Sequence, residues 1–322
     1  MKYNILKGTG LEVSNICLGT IMYGGQVAEN DGVYLTHYAL DQGVNLVDTS
    51  NSYFEGRSEE IVGKALKGRR DDVILSTKAG FAMGQKPNEK GLSRKHVMQQ
   101  VEDSLRRLDT DYIDIYFMHL PDYNTPVEES LETYSQLVRS GKVRYIGMSN
   151  HAAWQVAKAH HTAKDMGLVL PTVCEMVYNL LTRGIEGEFL PFAREYNKSV
   201  ITYNPLAAGM LSGKHKRGAP PENSRFTILK AYAPRYWRDD NFDAVEMLEK
   251  IAEEEGISLV ELAMGWCMQQ PGVDSVITGF SRFEQLEQNL KCSEQSPLSQ
   301  AAAEACDEVW KQVSGNRFKY NR

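Results

Sequence analysis

Gly43-Val44-Asn45-Leu46-Val47-Asp48-Thr49-Ser50-Asn51-Ser52-Tyr53 is a short apolar run that ends in an acid, a small polar turn and a phenol. The run from Asn45 to Val47 has the character of a fully buried strand, because it shows no alternation of polar and apolar residues. Seven more such runs follow the same pattern along the chain. Ile16–Thr20, Val73–Lys78, Tyr112–His119, Val143–Asn150, Thr172–Asn179, Ser199–Pro205 and Asp274–Phe280 are each expected to be a core strand.

Segments of helical periodicity separate them. These are Asp31–Gln42, Arg57–Leu66, a helix capped by Ser93 and carrying Val97, Val101, Leu105 and Leu108, a helix from Thr125-Pro126-Val127-Glu128 to Arg139, His151–Met166 and Glu188–Tyr196. Asn241–Glu255, Ser258–Gln269, Phe283–Leu290 and Ala301–Val313 complete the set. Thr125-x-x-Glu128, Ser258-x-x-Glu261 and Ser281-x-x-Glu284 read as capping boxes, the first with proline at the first helical position. Gly8-Thr9-Gly10 predicts a small hairpin ahead of the main fold. Leu206–Asp240, with Pro220-Pro221 inside it, is expected to be irregular.

Eight apolar strands alternating with helices predict a parallel sheet covered on its outside, and eight units predict a (β/α)8 (TIM) barrel. An open doubly wound sheet would carry a Gly-x-Gly-x-x-Gly after its first strand, and Gly19-Thr20-Ile21-Met22-Tyr23-Gly24-Gly25 does not match it. No low-complexity linker interrupts the 322 residues, so residues 1–322 are expected to form a single domain.

Composition narrows the function classes. The chain is 42% hydrophobic and 24% charged with a net charge of −6, which gives no general field for nucleic acid or anionic membrane. No apolar run approaches the ~20 residues that span a bilayer. The first residues lack a signal-peptide pattern. Five scattered cysteines without a Cys-x-x-Cys suit reduced thiols and offer no zinc site. The expectation is a cytoplasmic protein acting on a small molecule, without metal, nucleic acid or membrane partner, and able to form a homo-oligomer.

In a (β/α)8 barrel the site lies at the C-terminal ends of the strands. Those ends carry Asp48 and Tyr53, then Lys78, His119 and Ser149-Asn150. A phenol with a pKa near 10 is a poor acid near neutrality, and a neighbouring ammonium lowers that pKa. Lys78 is expected to do this for Tyr53, with Asp48 holding Lys78 in place and His119 orienting a carbonyl oxygen. Each of these residues alone has an ordinary structural reading. Together they form a proton donor with its tuning groups, suited to carbonyl reduction if hydride comes from elsewhere. A metal-dependent barrel hydrolase fits less well. No His-x-His follows the first strand, and the adjacent His160-His161 cannot share a helix face.

The chain resembles the aldo-keto reductases from about Leu11 to the C-terminus. The marks are Asp48-x4-Tyr53 with Glu55-Gly56-Arg57-Ser58-Glu59, then Lys78, His119, Gly147-Met148-Ser149-Asn150 and Tyr178-Asn179-Leu180-Leu181. Tyr203-Asn204-Pro205-Leu206-Ala207-Ala208-Gly209-Met210-Leu211 and Glu284-Gln285-Leu286-Glu287-Gln288-Asn289 follow. The second half, with Asn204-Pro205-Leu206 and Arg235-Tyr236-Trp237, is similar to the aflatoxin-aldehyde reductase branch.

The resemblance implies NADP(H), with NAD(H) less favoured, and a catalytic tetrad of Asp48, Tyr53, Lys78 and His119 in which Tyr53 is the general acid or base. It further implies that Ser149 and Asn150 hold the nicotinamide carboxamide, that Tyr203 stacks on the ring, and that the amides of residues 206–211 take the pyrophosphate. Gly19, Thr20, Asp48, Asn204, Pro205, Leu206, Ala207, Ala208, Gly209, Leu211, Lys214 and Arg225 are expected along the cofactor. Gly279, Phe280, Ser281, Arg282, Gln285, Gln288 and Asn289 are expected around its adenosine end. Arg282 at a helix start is the choice for the 2′-phosphate. Residues 206–240 carry seven cationic side chains against three carboxylates, which independently suits an anion.

Two departures stand out. Glu175 replaces a usual glutamine, and an ionised carboxylate there would place negative charge near the ring and favour the oxidised cofactor. Gly279 and Phe280 stand where some relatives carry a phosphate-binding lysine and many a small residue. Tyr23, Phe54, Phe81, Tyr123, Phe226 and Trp237 are expected to wall the substrate pocket, with Arg317 and Arg322 available to a substrate carboxylate. The alternative within the same resemblance is an NADPH-binding regulatory barrel with little turnover, like the channel-associated members.

Overall fold

The computed structural model describes residues 1–314. The chain opens with an antiparallel hairpin of β1 (Tyr3–Ile5) and β2 (Glu12–Ser14), in which Asn4 pairs with Val13. The alternation that follows runs β3 (Ile16–Gly19), α1 (Glu29–Asp41), β4 (Leu46–Asp48), α2 (Arg57–Leu66), β5 (Ile74–Ala79), α3 (Arg94–Leu108), β6 (Ile113–Met118) and α4 (Val127–Arg139). It continues with β7 (Val143–Ser149), α5 (Ala153–Asp165), β8 (Val173–Val177), α6 (Phe189–Glu195) and β9 (Ser199–Tyr203). Two four-residue turns, α7 (Arg225–Ile228) and α8 (Ala233–Tyr236), lead into α9 (Asp239–Glu255), α10 (Leu259–Gln269), β10 (Ser275–Thr278), α11 (Phe283–Lys291) and α12 (Gln300–Ser314).

Strands β3 to β10 are all parallel, and β10 closes the circle by pairing with both β9 and β3. This is the expected (β/α)8 barrel. Side chains alternate along each strand. On β6, Ile115 and Phe117 point into the barrel while Tyr116 and Met118 face the helices. The interior cluster also takes in Leu6 and Val13 of the hairpin, together with Leu46 and Val173 from strand starts. The hairpin therefore covers the N-terminal end, and the large cavity lies at the opposite end. Gly147 makes this packing possible, since a Cβ there would lie 2.3 Å from Cδ1 of Phe117.

Three local expectations are corrected. The Thr125 box does not form: Pro126 is the N-cap of α4, and the Thr125 hydroxyl donates to Asp122 Oδ2 at 2.7 Å. That carboxylate also accepts from the Leu92 amide and outcompetes the helix start for the hydroxyl. Arg282, not Ser281, is the N-cap of α11, and the Ser281 amide and hydroxyl both donate to Gln285 Oε1, at 2.8 and 3.1 Å. The strand expected to run to Pro205 stops at Tyr203, because Asn204 turns to φ +66°, a conformation that asparagine tolerates better than most residues. The Ser258 box forms as expected. Helix α9 begins two residues earlier than periodicity suggested, where Asp239 and Asp240 complement the helix dipole.

The segment between β9 and α9 is mostly short turns pinned by rings packed edge to face. His215 packs on Phe226 and Trp237, Phe226 on Trp237, and Trp237 on Phe242.

Candidate active site

The strand ends bring the four tetrad residues together. Asp48 ends β4, Lys78 stands next to last on β5, and His119 follows β6 directly. Lys78 is fully buried and donates to Asp48 Oδ2 at 2.5 Å and to the Thr49 carbonyl at 2.9 Å. Ser76, two residues back on the same strand face, donates to Asp48 Oδ1 at 2.6 Å. The carboxylate is thus held from both sides before any ligand arrives.

Tyr53 comes from a tight turn over Tyr53–Gly56 in which Phe54 and Glu55 take φ of 45° and 57°. Such backbone costs energy for ordinary residues and persists only when its surroundings enforce it. The enforcing contacts explain the Gly56-Arg57-Ser58-Glu59 stretch. The Ser58 hydroxyl donates to the Thr20 carbonyl at 2.9 Å and lies within 2.9 Å of the Thr49 hydroxyl. Buried Glu59 accepts from Thr77 and Arg107, each at 2.6 Å. The start of α2 is thereby fixed to β3, β4 and β5, and the turn hangs Tyr53 over Lys78, whose Nζ lies 5.3 Å from the phenol ring centre.

Burial pushes the Tyr53 phenol above its ordinary pKa; Lys78 pulls it back, while Asp48 and Glu175 push it up again. The expected net lowering by Lys78 is therefore absent from the protein alone, because burial outweighs it and the two carboxylates add to the rise. Burial also opposes the Lys78 charge, but Asp48, Glu175 and Tyr53 outweigh it and raise the ammonium well above its ordinary value. Burial, then the Lys78 charge, keep His119 well below the usual histidine range, so its ring is neutral. Its Nδ1 lies 3.2 Å from the Ser50 hydroxyl; when that hydroxyl donates, Nε2 carries the ring proton.

Tyr53, His119 and Asp48 open onto a cavity of about 1060 Å³, with Lys78 just beneath its surface. Of the residues expected along a cofactor, all but Ser149, Ala207 and Leu211 line it, and those three are buried behind it. Asn150 is fixed at φ +62° by donating to the His119 carbonyl and the Ser149 hydroxyl, each at 3.0 Å. It accepts from the Tyr203 hydroxyl at 2.7 Å. In the turn after β9, the amides of Ala207, Ala208, Gly209 and Leu211 are taken by Asn204 and Leu206. Positive charge for an anion there comes instead from side chains.

Lys214, Arg225 and Arg282 supply it. Burial lowers the Lys214 pKa first, and the charges of Arg282 and Arg225 lower it further. Among the described residues none of these three cations has a carboxylate partner. An Arg225 nitrogen comes within 3.1 Å of where a Cβ on Gly279 would sit. Arg225 thus places a guanidinium over Gly279. Phe280 packs edge-on against Tyr23, with ring centres 6.0 Å apart.

Of the six aromatic residues expected to wall a substrate, only Phe81 lines the cavity, 4.5 Å ring to ring from His119. Tyr23 is buried, its hydroxyl 2.9 Å from that of Thr36. Phe226 and Trp237 are spent in the ring cluster of the loop, and Phe54 packs on the core beside Gly25. Tyr123 is 82% exposed on the outer surface. Proximity in sequence to a strand end did not predict which way these rings point. Arg317 and Arg322 lie outside the described residues. The cavity wall instead includes Leu120, Tyr232 and Arg235, and Gln26 donates to the Asn223 carbonyl across its rim. Tyr232 and Arg235 belong to the irregular segment, where no periodicity marks an inward face.

Glu175 on β8 is buried, 3.3 Å from Lys78 Nζ through Oε2, and its Oε1 accepts from Ser149 at 3.4 Å. Burial, then the Asp48 charge, push its carboxyl up to about 8 against the pull of Lys78. The Glu175 carboxyl therefore holds its proton to higher pH than an exposed carboxyl does, which bears directly on the charge it places near the ring.

The comparisons with known proteins agree with this geometry. Residues 15–311 match the model of the aldo/keto reductase family. A probable voltage-gated potassium channel subunit beta from Oryza sativa subsp. japonica is 40% identical over 92% of this chain and 93% of its own length. Aflatoxin B1 aldehyde reductase member 2 from Rattus norvegicus is 35% identical over 95% of this chain and 87% of its own. Aldo-keto reductase family 7 member A3 from Homo sapiens is 34% identical over 95% and 96%. The family match, the relatives and the strand-end tetrad agree: the chain belongs to the aldo/keto reductase family of oxidoreductases.

Proposed function

We propose that this protein interconverts a carbonyl compound and its alcohol with NADP(H), and that Tyr53 exchanges the proton. The observation that carries this is the convergence of Tyr53, His119 and the buried Lys78–Asp48 pair on one cavity that also holds three cations with no carboxylate partner among the described residues. The bound cofactor supplies or accepts hydride. The chain's own residues do the rest. Neutral His119 donates from Nε2 to the carbonyl oxygen and orients it. The Tyr53 hydroxyl, which no acceptor among the described residues claims, delivers the proton to that oxygen in reduction and removes it in oxidation. Lys78 stabilises the phenolate left behind, and Asp48 with Ser76 holds Lys78 in place. Asn150 and Tyr203 hold the nicotinamide end, with Ser149 behind them bonded to Asn150, and Lys214, Arg225 and Arg282 hold the phosphates.

Mixing the protein with NADPH and a reactive aromatic aldehyde while following nicotinamide absorbance tests the reading. Steady loss of absorbance is expected; its absence across aldehydes, ketones and sugars would overturn it. The beta-subunit relatives favour a second reading, an NADPH-binding barrel that senses the cofactor and turns over little. Tight NADPH binding without consumption across that panel is its signature.

Cofactor choice has its own test. Arg282→Ala is expected to raise the KM for NADPH by about 10- to 100-fold, the worth of a charge-assisted contact, and to leave that for NADH nearly unchanged. Equal effects on both would remove Arg282 from the 2′-phosphate.

A further inference from the structure

One buried ammonium, Lys78, faces two buried carboxyls. Asp48 has the better claim, with Lys78 at 2.5 Å on one oxygen and Ser76 at 2.6 Å on the other. Glu175 is left with Lys78 at 3.3 Å and Ser149 at 3.4 Å. Its Oε2 has no hydrogen bond among the described residues. With both acids ionised the buried triad carries one uncompensated negative charge, so one carboxyl must readily take a proton. Geometry selects Glu175.

The other titratable groups of the site come from four other elements. Cys17 lies on β3, Tyr203 on β9, Tyr53 on the turn after β4, and His119 after β6. Burial pushes the first three up, and burial with Lys78 pushes the last down, so none of them changes charge near neutrality. Glu175 also lines the cavity beside Asn150 and Tyr203, the residues assigned above to the nicotinamide.

We propose that Glu175 is a proton site linked to the redox state of the bound cofactor, protonated beside the neutral reduced ring and ionised beside the cationic oxidised ring. This rests on the NADP(H) reading. A cation within about 4–6 Å of a carboxyl lowers its pKa by about 1–3 units, whereas a neutral ring does not. During carbonyl reduction hydride carries both electrons to the carbonyl carbon, the Tyr53 proton goes to the oxygen, and the Glu175 proton passes to cavity water. Glu175 regains a proton from water when the oxidised cofactor leaves, and Tyr53 is reprotonated from water. The net consumption of one proton per turnover is unchanged. What changes is the balance of affinities: as pH rises, the oxidised form gains on the reduced form. A glutamine at this position cannot do this.

The test is binding, not turnover. Dissociation constants of NADP+ and NADPH are measured from about pH 6.5 to about pH 9 for the wild type, Glu175→Gln and Glu175→Met. Calorimetry in two buffers of different ionisation enthalpy counts the protons exchanged. The 2′-phosphate titrates near pH 6 in both cofactor forms and cancels in the ratio. For the wild type, the ratio of the NADP+ to the NADPH dissociation constant is expected to fall by about tenfold or more over this range, the equivalent of one pKa unit or more. A fraction of a proton is released on binding NADP+ and little or none on binding NADPH. In both variants the ratio is expected to be flat. A flat wild-type ratio overturns the proposal even if neither variant folds, and so does a variant that keeps the wild-type slope. If neither cofactor form binds the wild type, the NADP(H) reading itself has failed. Binding of both with a flat ratio sinks only the role of Glu175.

Discussion

Tyr53→Phe is expected to lower the rate of carbonyl reduction by about 10²- to 10⁴-fold, the usual worth of a positioned general acid, while NADPH affinity stays within about twofold. The substitution removes one oxygen and leaves the ring. That ring is what packs here: Lys78 Nζ lies 5.3 Å from its centre, and the His119 ring 6.1 Å away. The strained turn that carries it is fixed through Ser58 and Glu59 and not through the hydroxyl. Fold and cofactor site should therefore survive, and only proton transfer should fail. Single-turnover absorbance changes with saturating NADPH, beside a fluorescence titration of NADPH, separate the two effects. Full activity in Tyr53→Phe would remove Tyr53 from the mechanism and leave the cavity as a binding site. The raised pKa of the phenol adds a direction. Tyr53 keeps its proton at neutrality and is ready as an acid, whereas alcohol oxidation needs the phenolate and should speed up as pH rises.

The barrel was legible because each strand is a short apolar run with no competing pattern, and because each ends in a residue the core does not need. Asp48, Lys78 and His119 follow directly from that rule. Tyr53 follows only through a turn, and its place over Lys78 depends on Ser58 and Glu59, whose partners lie on other strands. What sequence left hidden is direction and sharing. Tyr23, Phe54, Phe226 and Trp237 all follow strand ends, yet their rings are used to pack loops, and periodicity gives no inward face in the segment between β9 and α9. The pKa of Tyr53 was misjudged for a related reason. Burial, the largest influence on that phenol, is not visible in the sequence, and the fold also brings Glu175 to 3.3 Å from Lys78. Arg225 reaching over Gly279 is the same kind of fact: two residues far apart in the chain meet only in the fold.

Lys78→Met tests the shared charge through stability. Methionine matches the lysine stem in volume, so packing changes little, but Asp48 and Glu175 then face each other with no cation. Removing one partner of a buried ion pair costs about 3–5 kcal/mol, because the remaining charge is left without compensation. For a chain of this size that corresponds to a fall in Tm of roughly 4–7 °C. The pH dependence fixes the cause. Glu175 in the wild type already sits at about 8, raised by burial and then Asp48 from an ordinary 4.5. A carboxyl raised in the folded state contributes stability that is fully present below 4.5 and lost as pH rises through its folded pKa. Without Lys78 that pKa moves higher still. The loss in Lys78→Met should accordingly be small near pH 5 and grow toward pH 8, where keeping Glu175 protonated becomes most costly. Adding Glu175→Gln to Lys78→Met removes one of the two facing carboxyls, and the double variant should recover part of the lost Tm at pH 8 and little at pH 5. If the single and double variants melt together at both pH values, Lys78 does not hold these two acids in balance, and the redox-linked proton on Glu175 loses its structural basis.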